Sequence, residues 1–178
     1  MSCSLHWAAS ALALAFLTLP AHAQPSEAPH VTRMHLSKSA HLLTLLDGDT
    51  LVASFQASIG PGGPGFKKQE GDNVTPVGRY HVILHQASRF RVFLRLDYPN
   101  AADQARFAAM KASGELPKDA RIGGDIGIHG TPQEHKYDDE RASFRGVDWT
   151  AGCIAVQDDE IDRIAAWVPD GIVIEIED

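Results

Sequence analysis

The chain has 178 residues, 44% of them apolar, with 16 Lys or Arg against 23 Asp or Glu and a formal net charge of −7. That length suits one domain with a sizeable core once any targeting segment is set aside. The acidic balance, with no basic cluster beyond Lys67-Lys68, excludes a nucleic-acid-binding stripe.

Met1–Ala23 carries no Lys, Arg, Asp or Glu. Trp7 to Leu19 is nearly all Ala, Leu and Phe, and Pro20 and Ala21-His22-Ala23 follow. A short apolar core ahead of a small-x-small site reads as a secretory signal cleaved after Ala23, although the positive n-region is missing apart from the amino terminus and His6. The run is shorter than the roughly 20 apolar residues that a spanning helix needs. No later stretch is apolar enough, so no transmembrane segment is expected after processing and the expected location is the periplasm. Of the two cysteines, Cys3 lies in the signal, which leaves Cys153 alone. A single thiol in an oxidising compartment has no intramolecular partner, so it is either buried and inert or kept for its reactivity.

Gln24–His30 reads as a flexible leader, and residues 31–178 as one domain. His41–Leu46, Asp47-Gly48 and Thr50–Ile59 have the pattern of a hairpin with an Asp-Gly turn. Gly60–Gly78, with six glycines and three prolines, is a long surface loop and a candidate rim of a site. Arg79–His85 and Phe90–Leu96 are strands, the second placing Val92, Leu94 and Leu96 on one face. Asn100 caps a helix over Ala101–Ala112, ended by Gly114 and Pro117. Ile122–Ile128 is a glycine-laced strand running into His129, Thr131–Val147 a charged loop, and Gly152–Gln157 a short buried strand. Asp158, Asp159 and Glu160 open a last helix, where acidic side chains meet the positive end of its dipole. Ile161, Ile164, Ala165 and Val168 form its inner stripe and Pro169 stops it. Ile172, Ile174 and Ile176 alternate as a closing strand. The fold class is mostly β with two helices.

Two segments carry chemistry: Ile126-Gly-Ile-His129-Gly130, and Asp148-Trp-Thr-Ala-Gly152-Cys153. A thiol with an ordinary pKa is mostly protonated at neutral pH, and only the thiolate attacks a carbonyl. An imidazole within hydrogen-bond reach takes that proton and later gives it to the leaving amine. Cys153 precedes the last helix by several residues, so activation has to come from His129 rather than from a helix dipole. Gly152 leaves the backbone free for close approach, and the N–H groups of Gly152 and Cys153 are candidate oxyanion donors. Gly130 and Gly152 also suit tight turns. Trp149 reads as a rim aromatic or a substrate contact. His129 and His135 with Asp138 or Asp139 fit no common zinc spacing, and His81 and His85 stand some ~13 Å apart on a strand. Neither a metal nor a cofactor is expected.

Taken in order, His129-Gly130, Thr150-Ala-Gly-Cys153-Ile154, a capped helix and a closing Gly171-x-x-apolar strand resemble the L,D-transpeptidase (YkuD-like) catalytic domain. The likeness is closer to a proteobacterial subgroup that carries Tyr-Pro-Asn-Ala-Ala-Asp (here Tyr98–Asp103) and Asp-Trp-Thr-Ala-Gly-Cys (here Asp148–Cys153). Thr75-Pro76-x-Gly78 resembles the family's Thr-Pro-x-Gly turn. The resemblance implies a β-sandwich-like single domain in which Cys153 attacks an L,D bond of a peptidoglycan tetrapeptide stem. D-Alanine leaves, a thioester forms, and an amine resolves it. It also implies His129 as base, the Gly130 carbonyl orienting the imidazole, Gly152 at the oxyanion, and Trp149 and Thr150 near substrate. An outer-membrane lipoprotein is among the candidate acceptors. Two positions depart from the wider family: Ala151 stands where it has His, and Ala155 where it often has Arg or Asn. The alternatives are an L,D-carboxypeptidase or peptidase hydrolysing the same bonds, and an inactive peptidoglycan-binding module.

Overall fold

A computed structural model describes residues 28–133 and 146–178. The expected signal, most of the leader, and the loop segment with His135, Asp138 and Asp139 lie outside the described residues. In chain order the elements are β1 Arg33–Ser37, β2 Leu42–Asp47, β3 Thr50–Gln56, β4 Gly78–Ser88, β5 Arg91–Leu96, α1 Ala101–Ser113, β6 Gly127–His129, β7 Ile154–Ala155, α2 Asp158–Trp167 and β8 Val173–Glu177.

The eight strands form one sheet in the order β3-β2-β1-β8-β4-β5-β6-β7. Neighbours run antiparallel except β1 with β8 and β6 with β7, which are parallel. The sheet curls until its ends meet. Ser58, just beyond β3, exchanges both backbone hydrogen bonds with Ala155 of β7 at 2.8 Å. Strand alternation accounts for what lies inside the curl: Met34 and Leu36 of β1, Leu43 and Leu45 of β2, and Ile174 and Ile176 of β8 are all buried. Helix α2 closes the open side with Ile161 and Ile164, both fully buried, each contributing about 1.5–3 kcal/mol of hydrophobic burial. Its first turn is held by a capping box in which Glu160 accepts from the Gln157 N–H at 2.9 Å.

Helix α1 begins where expected. The Asn100 side chain accepts from the N–H groups of Ala102 and Asp103, and Gly114 ends the helix at φ 81°. It buries only Asp103 and Met110, so it rides on the surface. No helix among the described residues is long and apolar enough to cross a membrane.

Four strands differ by more than a residue from their sequence patterns, and the first, β3, stops at Gln56 rather than Ile59. β4 reaches Ser88, longer than the alternation indicates. The segment leading to His129 pairs only over Gly127–His129, because Gly123 at φ 79° and Asp125 at φ 55° turn the chain out of extended geometry before it. β7 is two residues long, since Gly152 at φ 123° breaks the strand on its N-terminal side.

Candidate active site

The parallel pair β6–β7 sets Ile128 beside Ile154 and His129 beside Ala155. Side chains alternate along a strand, so His129 and Cys153, two residues before Ala155, share a face of adjacent strands. Carried back one step, the same register puts Cys153 next to Gly127, and a backbone hydrogen bond from Gly127 does reach its sulfur. On the other side of β6, Phe93 pairs with His129 and Arg95 with Gly127.

His129 is 2% exposed and stands in an aromatic box. Phe90 stacks on it at 4.4 Å between centroids, Phe93 at 5.8 Å and nearly coplanar, and the half-buried Trp149 meets it edge-on at 5.7 Å. Its Nδ1 lies 2.7 Å from the Gly130 carbonyl oxygen. Since a carbonyl only accepts, Nδ1 carries the hydrogen and Nε2 is the basic nitrogen. Burial, helped by the nearby Arg89 charge and opposed by the Gly130 bond, lowers the imidazole pKa to about 4.

Gly130 is itself fixed. Its N–H donates to Phe90 O at 3.0 Å, and an added Cβ would sit 2.8 Å from an Asp158 oxygen and 2.9 Å from Phe90 O. Asp158 accepts from the N–H and hydroxyl of Thr131 and from the Gln133 amide. The acidic start of α2 thus holds the chain that orients His129, beyond favouring the helix dipole.

Cys153 is half-buried, and its thiol donates to the Asp125 carbonyl at 3.4 Å. Burial pushes the thiol pKa to about 11, against the Gly127 bond and the Lys67 charge, which pull it down. At neutral pH both resting groups are therefore neutral, a thiol and an imidazole, rather than a thiolate and an imidazolium. Deprotonation belongs to the moment of attack, which requires a base and cannot rely on an acidic thiol.

The loop before Cys153 is locked from several sides. Thr150 is buried, donates its hydroxyl to Cys153 O at 2.7 Å and accepts the Gly152 N–H at 3.2 Å. Both bonds lie inside the loop, so Thr150 shapes the nucleophile's backbone, and the Gly152 N–H is already engaged. A Cβ on Gly152 would come within 2.7 Å of Val74 O. Thr75, fully buried, accepts from the Gly60 N–H at 2.9 Å and reaches Cys153 O at 3.5 Å. Asp148 accepts from the Ile59 N–H and lies 2.9 Å from His41 Nε2.

The two ends of the long glycine-rich loop thus buttress the nucleophile from beneath. The loop's own shape comes from Asp72, which accepts from Lys67 and from the N–H groups of Lys68, Gln69 and Val74. Phe90, Phe93, Thr75, Arg95 and Asp125 join the site without having been singled out for it. Among these, Thr75 carried a signal, the Thr-Pro-x-Gly turn. No group of His, Cys, Asp and Glu that could hold a metal occurs among the described residues.

A family model described as YkuD, L,D-transpeptidase catalytic domain, matches residues 32–176. No curated protein sequence matches the chain. Solved structures do. The helical cell shape determining protein Pgp2 of Campylobacter jejuni is 23% identical with a TM-score of 0.60, over 83% of this chain and 47% of that one. Bd1075 of Bdellovibrio bacteriovorus is 17% identical at a TM-score of 0.54, covering 84% and 48%. An L,D-transpeptidase of Mycobacterium smegmatis is 14% identical at 0.51, covering 82% and 58%. At these identities the likeness is one of fold, and the chain spans about half the length of each structure.

Proposed function

The chain belongs to the L,D-transpeptidase (YkuD) catalytic domain family, and on that premise we propose that it is an exported, periplasmic cysteine acyltransferase acting on peptidoglycan tetrapeptide stems. The observation that carries the reading is that His129 and Cys153 fall on one face of adjacent strands, with an imidazole whose Nδ1–H is fixed on Gly130 O, so that Nε2 is the base. Export is supported by the uncharged apolar run and Ala21-His22-Ala23 site at the start of the sequence.

In the proposed reaction, His129 Nε2 takes the thiol proton as Cys153 Sγ attacks the carbonyl carbon of the L,D bond. The N–H of Cys153 receives the developing oxyanion, while Gly152, its own N–H bonded to Thr150, supplies the backbone shape. The C–N bond then breaks, and the imidazolium returns its proton to the amine of the departing D-alanine, leaving a thioester. An acceptor amine attacks that thioester, gives a proton to His129, and restores the thiol. Trp149, edge-on to His129, walls the site where the stem would lie. The acceptor is an amine of a second stem or of an outer-membrane lipoprotein; water in its place makes the enzyme a carboxypeptidase.

The test is incubation of the chain from Gln24 onward with tetrapeptide muropeptides, read by intact mass. A Cys153 adduct that resolves to a 3-3 dimer is expected. Tripeptide alone assigns water as acceptor, and neither adduct nor turnover from folded protein overturns the enzyme reading in favour of a binding module.

A further inference from the structure

The face of β5 opposite Val92, Leu94 and Leu96 carries Phe93 and Arg95, and the register lays Arg95, Gly127 and Cys153 in one row across β5, β6 and where β7 begins. Gly127 contributes no side chain to that row, and the Phe93 ring fills the space where its Cβ would stand, 2.6 Å from that position. Arg95 and Cys153 lie on either side, their Cα atoms two strand spacings or roughly 10 Å apart. One residue is bonded to both. Asp125 accepts the Cys153 thiol on its carbonyl, and its carboxylate takes Arg95 Nη1. The Asp125 side chain is 78% exposed and Arg95 33%, so the ion pair opens to solvent beside the nucleophile. The guanidinium lies 5.9 Å over the Phe93 ring, which stacks in turn on His129. Arg95 Nε is buried and has no hydrogen-bond partner among the described residues.

Resting on the reading of Cys153 as nucleophile, we propose that Arg95 is a carboxylate subsite that binds the free α-carboxylate of the departing residue, with Asp125 as its counter-ion before substrate arrives. In a peptide, the attacked carbonyl carbon and the α-carboxylate of the next residue are three bonds apart, roughly 4 Å. One residue ties the two groups together, Asp125 holding the guanidinium on its carboxylate and the thiol on its carbonyl. An arginine fork suits a planar carboxylate, and the Phe93 ring lies within cation–π range of it at 5.9 Å. Exchange of one carboxylate for another leaves the guanidinium paired throughout, and the displaced Asp125 carboxylate, 78% exposed, is taken up by solvent.

Binding decides the matter apart from turnover. A tetrapeptide stem ending in D-alanine and the same peptide as its C-terminal amide are titrated calorimetrically into Cys153→Ala protein, with and without Arg95→Gln. The acid is expected to bind about 10- to 100-fold more tightly than the amide, the range of one charge-assisted contact. Arg95→Gln abolishes that ratio by weakening the acid alone, Arg95→Lys restores part of it, and Asp125→Asn strengthens acid binding by removing the competitor. Equal binding of acid and amide, or a preference that survives Arg95→Gln, overturns the subsite. So does an equal loss for both peptides, which marks a purely structural Arg95. Acid-selective binding in protein whose Cys153 cleaves neither peptide upholds the subsite and overturns the reaction instead.

Discussion

The Asp103 cluster at the start of α1 and the Cys153–His129 pair both lie in recognisable sequence motifs and both bury polar groups, yet they differ in what surrounds those groups. Asp103 is 5% exposed and accepts from the Tyr80 hydroxyl at 3.2 Å, Arg106 at 3.0 Å and the Asn100 N–H at 3.1 Å. Burial and the Asp103 charge raise both Tyr80 and Tyr98 above the usual phenol range, so these hydroxyls remain protonated. Tyr98 packs edge-on against Tyr80 at 5.9 Å. At the site, burial instead holds the thiol and the imidazole neutral, each donating to a backbone carbonyl rather than to a charged partner. Buried polar groups with every partner present build structure; those with one direction left for a substrate are available for chemistry.

The largest effects should separate the two regions cleanly. Cys153→Ala is expected to lower turnover by a factor on the order of 10⁴ or more, with little change in the melting temperature. Asp103→Ala should do the reverse. Removing the carboxylate takes the acceptor from Arg106 and the Asn100 N–H and leaves the Tyr80 hydroxyl only the Val77 carbonyl, which costs about 3–5 kcal/mol, while thioester formation by the folded fraction stays intact. Thermal melts alongside intact-mass assays of both variants check this. A Cys153→Ala protein that melts far below the native one, or an Asp103→Ala protein that is stable but inactive, breaks the comparison.

Acid and alkali sharpen it next, by roughly 3 kcal/mol. The unfolded imidazole binds a proton below pH 6.5, whereas the folded one resists until about pH 4. His129 therefore contributes stability that is present above 6.5 and lost as the pH falls towards 4. The thiol works in the opposite direction. Unfolded it ionises at 9.0 and folded at about 11, so its contribution is present below 9 and lost as the pH rises towards 11. Denaturant melts across pH, native minus His129→Gln and native minus Cys153→Ala, isolate each limb. Alkylation of Cys153 by iodoacetamide should likewise climb steadily from pH 7 to 10. A plateau near neutrality would reveal a preformed thiolate–imidazolium pair.

Much of the regular half of the molecule was readable. The 2-residue alternation of β8, the inner stripe of α2 and the Asn100 cap are local patterns, and each is where the sequence puts it. Cys153 and His129 were readable as chemistry because a lone thiol and a His-Gly pair are unusual in themselves. Their neighbours were not. Alternation in β5 draws attention to Val92, Leu94 and Leu96 as the buried face, yet Phe93 is also buried and lines the site from the other face. The pairing of Ser58 with Ala155 joins segments about a hundred residues apart in sequence, and Asp125 meets Arg95 through a left-handed kink. Contacts like these follow from sheet register, which no local pattern encodes.

The smallest effect expected is also the most telling about how the nucleophile is held. Gly152 sits at φ 123°, where side-chain-bearing residues are strained, and a Cβ there would press on Val74 O at 2.7 Å. Gly152→Ala should cost about 1–3 kcal/mol in stability, measured in denaturant. Because Thr150, Gly152 and Cys153 share one hydrogen-bonded loop, the displacement should pass directly to Sγ. The alkylation rate of the folded protein is then expected to fall as well, by roughly tenfold, the equivalent of about 1.4 kcal/mol. Loss of stability with an unchanged rate would mean that the loop is only a tight turn. Gly152 would then belong with Asp103, among the residues that build the fold and leave the chemistry to others.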